Sequence, residues 1–229
     1  MALAEVVVAL DFEGGSEALA LVDRLDGLEW VKVGSILFLG EGPRLIGELK
    51  ERGLSVFLDL KWHDIPSTVA GAVKAAAALG VDMATVHALG GAAMMSAAAE
   101  AKAKMKLVAV TVLTSHDEAS LAGAVGFGSA GGVVGEVERM AALAVRAGVD
   151  GVVCSAHEAR AVVSALPGHP LIVVPGVRLG GDASGDQKRV ADPRSASRAG
   201  ATHVVVGRSI TRSEDPQTAL LAVRAELEK

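Results

Sequence analysis

Aromatic side chains are scarce: they make up 3% of the 229 residues, and there is no tyrosine. So few stacking platforms argue against a single-stranded nucleic-acid binder. The lysines and arginines are dispersed within a net charge of -5, which leaves no basic stripe for a phosphate backbone. No nucleic-acid partner is expected, and any anion must be held locally. Cysteine is limited to Cys154, which excludes an internal disulfide. At the end of the apolar run Gly151-Val-Val-Cys154 it reads as a small buried hydrophobe sooner than as a nucleophile. No apolar run approaches the ~20 residues that span a bilayer, so no membrane partner is expected. The opening Met-Ala-Leu-Ala-Glu lacks a basic region, and the apolar residues 6–10 are too few for a signal core, so the expectation is a cytoplasmic protein. The six histidines include no HExxH and no Cys/His pairing, which gives a histidine-based metal site no support; His63, beside Asp64, is the one to inspect.

What the chain has in quantity is apolar residues, 51% against 21% charged, and no Pro/Ser-rich or charge-blocked linker divides them. One domain over residues 1–229 is expected. Short apolar runs alternate with helical patterns along its length. Strands are expected at 6–11, 30–34, from Val56 onward, and at 82–88, 106–114, 151–154, 171–174 and 203–206. Helices follow at 16–25, 43–51, 67–79, 90–104 and 133–147. Ser155 and Glu158 form a capping box that opens a further helix, with Gly168 beyond its end, while Asp192-Pro193 and Asp215-Pro216 start the last two. Eight strands alternating with eight helices, most strands apolar throughout, predict a single-domain α/β protein of the (β/α)8 TIM barrel type; a doubly wound open sheet is the alternative. Polar residues support the barrel. Asp11, Lys32, Asp59, Lys61, Thr114, Arg178 and Arg208 lie at or just beyond the C-terminal ends of their strands, where barrel active sites form.

The stretch around Asp59 is the most informative. Alternation along a strand puts Asp59 and Lys61 on one face with Phe57, while Val56, Leu58 and Leu60 line the other, and Asp64 falls in the turn before a helix begun by Pro66. Two carboxylates and a lysine at the end of a buried strand need a reason. A simple salt bridge between Asp59 and Lys61 is the plainer one. Farther on, Pro175-Gly-Val-Arg178 opens a polar, glycine-rich segment reaching Arg189, read as a lid over a barrel mouth or else as an ordinary surface loop. Val206-Gly207-Arg208-Ser209 follows strand eight, where a glycine admits backbone N–H groups to an oxyanion and arginine adds a forked cation. Gly126-Phe-Gly128-Ser-Ala-Gly131 is a formal G-x-G-x-x-G. It does not directly follow a strand, so a flexible loop is preferred to a dinucleotide site.

The string Asp59-x-Lys61-x-x-Asp64-Ile65-Pro66-x-Thr68 resembles the signature of the bacterial orotidine 5'-monophosphate decarboxylase family. The shorter D-x-K-x-x-D also occurs in the related 3-keto-L-gulonate 6-phosphate decarboxylases and hexulose phosphate synthases, so Ile65, Pro66 and Thr68 carry much of the distinction. The segments Pro175 to Arg178 with Asp186 to Val190, and Gly207 to Ile210, resemble that family's phosphate-gripping loop and phosphate site. The resemblance implies cofactor-free and metal-free decarboxylation of orotidine 5'-monophosphate to UMP in pyrimidine biosynthesis. It implies a catalytic array of Lys32, Asp59, Lys61 and Asp64, with Lys61 protonating a vinyl carbanion at C6. By the same resemblance Asp11 and Lys32 contact the ribose, Thr114 and Ser115 lie against the pyrimidine, and Arg178, Gln187, Gly207 and Arg208 hold the phosphate side. Asp64, Ile65 and Thr68 are implied to serve the neighbouring subunit's site, hence a homodimer. A related sugar-phosphate lyase would instead require a Mg2+ site.

Overall fold

The computed structural model describes residues 3–125, 131–180 and 189–229. Eight parallel strands close into a barrel in sequence order: β1 (Glu5–Ala9), β2 (Trp30–Gly34), β3 (Ser55–Trp62), β4 (Met83–His87), β5 (Lys106–Val110), β6 (Gly151–Val153), β7 (Leu171–Val177) and β8 (His203–Val206), with β8 pairing back onto β1. Between them run α1 (Gly15–Val22), α2 (Ser35–Glu41), α3 (Pro43–Glu51), α4 (Pro66–Ala78), α5 (Gly91–Ala101), α6 (Glu118–Val125), α7 (Gly132–Arg146), α8 (Ala156–Ala165), α9 (Pro193–Arg198), α10 (Arg208–Thr211) and α11 (Pro216–Leu227). The open-sheet alternative is excluded by the β1–β8 pairing.

Apolar residues on both faces of a strand suit a sheet buried on both sides, and the alternation sorts them. Val6, Val8, Leu10, Val31, Val33, Val56 and Leu58 face outward into the layer shared with the helices. Val7, Ala9, Phe57, Met83, Val108, Val173 and Val205 fill the barrel interior. The next inward positions above Ala9, Trp30 and Phe57 are Asp11, Lys32 and Asp59, so the pleat that builds the core also aims these charges into the mouth.

The opposite end of the barrel is fastened by a recurring device. The side chain of the residue just before an even-numbered strand accepts the N–H of the second residue of the odd strand preceding it in sequence. Asp82 takes Val56 N at 2.7 Å, Asp150 takes Leu107 N at 2.9 Å, and Thr202 takes Ile172 N at 2.9 Å. Lys50 and Lys102 neutralise the two carboxylates at 2.6 and 2.5 Å. The Lys102 and Leu107 hydrogen bonds hold the Asp150 carboxyl below its ordinary range despite the burial that opposes them.

Several boundaries differ from expectation. β5 stops at Val110, so Thr114 and Ser115 sit in the loop beyond it. β7 runs through Pro175-Gly176 to Val177, because a shift of register against β8 between Val174 and Val177 accommodates a proline that cannot donate to a regular ladder. Helices α2, α6 and α10 were not expected. In α2 the apolar Ile36 and Leu39 are 63% and 84% exposed, Ile36 at the barrel mouth, and Leu37 is its buried residue, so no core-facing stripe marks it. The capping box on α8 and the Asp192 and Asp215 caps are present as read. The G-x-G-x-x-G segment lies outside the described residues except for Gly131, the left-handed residue ahead of α7.

Candidate active site

A cavity of about 640 Å³ opens at the C-terminal end of the strands. Its floor is the apolar top of the barrel interior, with Ala9, Phe57, Val173 and Val205 among the lining residues. One wall is charged. Lys32 Nζ lies 2.9 Å from Asp11 Oδ1 and 3.7 Å from Asp59 Oδ2, while Lys61 Nζ lies 2.9 Å from both oxygens of Asp59. The array is thus Asp11, Lys32, Asp59, Lys61, alternating in sign. Its centre is the most enclosed part, with the Lys32 and Asp59 side chains 12% and 13% exposed against 60% for Asp11 and 41% for Lys61.

Two backbone features set this geometry. Gly34 leaves room for it, since a Cβ there would stand 3.2 Å from Lys32 Nζ and 3.4 Å from Asp11 Oδ1. Lys61 sits at φ 50°, in the left-handed region that side-chain-bearing residues rarely enter, where β3 loses register with β4. Its N–H is not lost to solvent: it donates to Thr85 Oγ1 at 2.8 Å, and that hydroxyl in turn donates to Asp59 Oδ1 at 3.1 Å. Thr85, fully buried on β4, is a site residue the sequence reading missed. The available signal was a polar inward position between Met83 and His87 on an otherwise apolar strand.

The ends of β7 and β8 add Arg178, Gly207 and Arg208 to the lining, joined by Ser209 and Arg212. Thr114 and Leu113 line the rim contributed by the loop after β5. Ser115 is exposed and does not line the cavity. Gln187 lies outside the described residues. Asp64 does not reach the array of its own chain: its Oδ1 accepts the N–H of Ile65 at 2.6 Å, and Asp64, Ile65 and Thr68 are all exposed. Within one chain the fourth charge of the array is therefore Asp11, not Asp64.

His63 stacks on His87 with ring centres 5.4 Å apart. Burial first, then the nearby charges of His63 and Lys61, hold His87 below the ordinary histidine pKa. Cys154 lies beneath the cavity, 1% exposed, and burial and the neighbouring Glu158 push its thiol up to about 12, so it is protonated and unsuited to attack. Among the described residues no three His, Cys, Asp or Glu side chains gather as a metal would require, and no helix is long and apolar enough to cross a membrane.

The model of the orotidine 5'-phosphate decarboxylase / HUMPS family matches residues 4–223. The chain belongs to that family. Among curated relatives, orotidine 5'-phosphate decarboxylase of Halorhodospira halophila is 52% identical over 227 residues, covering 97% of this chain and 95% of its own. That of Escherichia coli K12 is 46% identical over 230 residues, covering 98% and 93%. Among solved structures, the orotidine 5'-phosphate decarboxylase of Lactobacillus acidophilus superposes with a TM-score of 0.87 at 34% identity, over 99% of this chain and 100% of that one. The fold and the family stated from the sequence motifs are therefore both correct.

Proposed function

We propose that this member of the orotidine 5'-phosphate decarboxylase family converts orotidine 5'-monophosphate to UMP and CO2 in pyrimidine biosynthesis, in a single barrel domain over residues 1–229 and without a cofactor. The observation that carries the reading is the Asp59–Lys61 pair at 2.9 Å in a cavity that Arg178 and Arg208, from the ends of β7 and β8, also line. A ligand with a carboxylate at one end and a phosphate at the other matches that division of charge. Arg178, Gly207 and Arg208 take the phosphate, with Gln187 from the lid. Asp11 and Lys32 take the ribose hydroxyls, and Thr114 borders the pyrimidine, with Ser115 next to it in the loop outside the cavity lining.

The bond between C6 and the carboxylate carbon breaks heterolytically, CO2 departs, and the electron pair stays on C6. Lys61 Nζ then gives a proton to C6, and solvent restores it. Asp59 stands beside the departing carboxylate, but magnitudes limit what repulsion achieves. Two like charges ~4 Å apart at an effective dielectric of ~20 repel by about 4 kcal/mol, roughly three decades in rate. The larger share falls to the fixed ammonium of Lys61, which faces the developing carbanion in a site already organised by Lys32 and Thr85.

The second copy of the chain completes the site. Asp64, Ile65 and Thr68 are exposed at the end of the barrel where Leu39 and Leu89 are also exposed, apolar side chains that a twofold partner would cover. In the homodimer each chain lends Asp64, Ile65 and Thr68 to the other's cavity. The test is loss of orotidylate absorbance with purified protein in EDTA. Turnover under chelation is expected; turnover only with added Mg2+, or none on this substrate, would move the chain to the sugar-phosphate branch of the family.

A further inference from the structure

The loop between β7 and α9 is pinched at its base by backbone pairing: Arg178 N donates to Ala191 O at 3.0 Å, and Ala191 bridges Val177. Just inside that pinch, Arg189 turns away from the loop and into the protein. Its Nη1 donates to Glu158 Oε1 at 2.6 Å, and its Nη2 to the carbonyls of Val112 at 3.0 Å and Leu113 at 2.9 Å. The pair is deeply placed, the two side chains 12% and 2% exposed. Glu158 is fixed in turn by Ser155, whose N–H and Oγ–H meet Oε2 at 3.0 and 2.5 Å. Three separate segments thus share one guanidinium: the start of α8, the end of the β7–α9 loop, and the backbone following β5.

Neither Arg189 nor Glu158 lines the cavity, but what they join does. Val112, Leu113 and Thr114 form one part of its rim and Arg178 another. A buried ion pair of this kind adds little net stability over an apolar replacement, because desolvation offsets the attraction. A planar fork can hold a carboxylate and two carbonyls in fixed directions, which an ammonium on a flexible stem cannot do.

We propose that Arg189 is a positioning residue that ties the base of the phosphate-side loop to the Val112–Leu113 backbone, so that the two parts of the rim keep fixed places relative to one another. Glu158 is the anchor that holds the guanidinium in place. The lock itself stands on the geometry; the naming of the two rims as phosphate and pyrimidine sides rests on the proposed function.

The experiment compares the parent, Arg189→Lys, and the double variant Arg189→Met/Glu158→Gln, which leaves no buried charge unpaired. Amide hydrogen exchange is read at 112–116, with kcat/KM for orotidine 5'-monophosphate and for orotidine and with the melting temperature. Exchange at 112–116 is expected to rise about tenfold or more in both variants, although the changed loop is remote in sequence. kcat/KM should fall about 30-fold for the phosphorylated substrate and less than about threefold for orotidine, which lacks the phosphate that the Arg178 side of the rim is proposed to hold. Unchanged exchange at 112–116 would overturn the proposal, as would equal losses on both substrates accompanied by a matching fall in melting temperature. If the parent does not act on orotidine 5'-monophosphate but the exchange response appears, the lock stands and the functional reading fails.

Discussion

Thr85 and Asp59 are bound hydroxyl to carboxylate at 3.1 Å, and the same hydroxyl accepts the N–H of Lys61 at 2.8 Å. One buried threonine therefore orients the acid and secures the strained backbone of the base beside it. Replacing it with Val keeps the shape but removes both hydrogen bonds. We expect Thr85→Val to lower stability by about 1–3 kcal/mol, the cost of a buried N–H left without an acceptor. We expect kcat to fall about 10- to 100-fold, with KM changed far less, because the loss is in the alignment of charges. Urea unfolding and steady-state kinetics check the two parts separately.

The exposed position of Asp64 leads to a complementation test. Lys61→Ala and Asp64→Asn homodimers each lack an intact site. After subunit exchange, a mixed dimer carries one doubly damaged site and one intact site, so activity should return to about a quarter of the parent in an equimolar mixture, since half of the dimers are mixed. No recovery after exchange is verified would return Asp64 to its own chain's cavity.

Arg208 begins α10 directly after β8, at the part of the cavity proposed to take the phosphate. Binding energy from a non-reacting group raises the rate only when it is used to close and dry the site. Arg208→Ala should lower kcat/KM by about 100-fold or more for orotidine 5'-monophosphate and hardly at all for orotidine, as loss of a desolvated charge-assisted contact requires. Equal losses on both substrates would move the phosphate contact to Arg178.

At the far end of the barrel, His203 is buried edge-on to Trp30 at 5.2 Å, with its Nδ1 2.9 Å from Thr202 Oγ1. Burial pushes its pKa down to about 4 from an ordinary 6.5. The folded state thus disfavours the proton that the unfolded chain accepts. Its stability contribution is whole above pH about 6.5 and falls away as the pH drops to about 4, a loss on the order of 3 kcal/mol. Asp150, held below its ordinary value of 3.8, loses its contribution only at still lower pH. Unfolding free energies measured between pH 7 and 4.5 should slope downward in the parent, and His203→Asn should flatten that slope. An unchanged slope in the variant would assign the pH dependence elsewhere.

Much of this architecture is legible in the sequence where one residue carries a local rule. Proline after aspartate marks the starts of α9 and α11, and strand alternation places Phe57 and Asp59 on the inner face without reference to any neighbour. Legibility ends where geometry depends on a partner. Thr85 is an ordinary strand-forming residue until Lys61 and Asp59 are seen beside it. Glu158 reads correctly as a helix cap, but nothing local announces that its second oxygen holds Arg189 from another loop. The expected strand at 171–174 stops short of Pro175, whose place inside β7 depends on a register shift against β8. The central motif carried the family and the expected array of Lys32, Asp59, Lys61 and Asp64; the distances show Asp11 in the fourth place within one chain.

Lys61, held against Asp59 at 2.9 Å, is the proposed donor of the proton to C6. The most direct measurement is single-turnover decarboxylation by Lys61→Ala together with its affinity for UMP. An interaction used in the transition state affects rate more than ground-state binding, so turnover should fall by at least about five decades while UMP binds within about tenfold of the parent. Turnover within about tenfold of the parent would contradict the account and remove Lys61 from the proton-donor role.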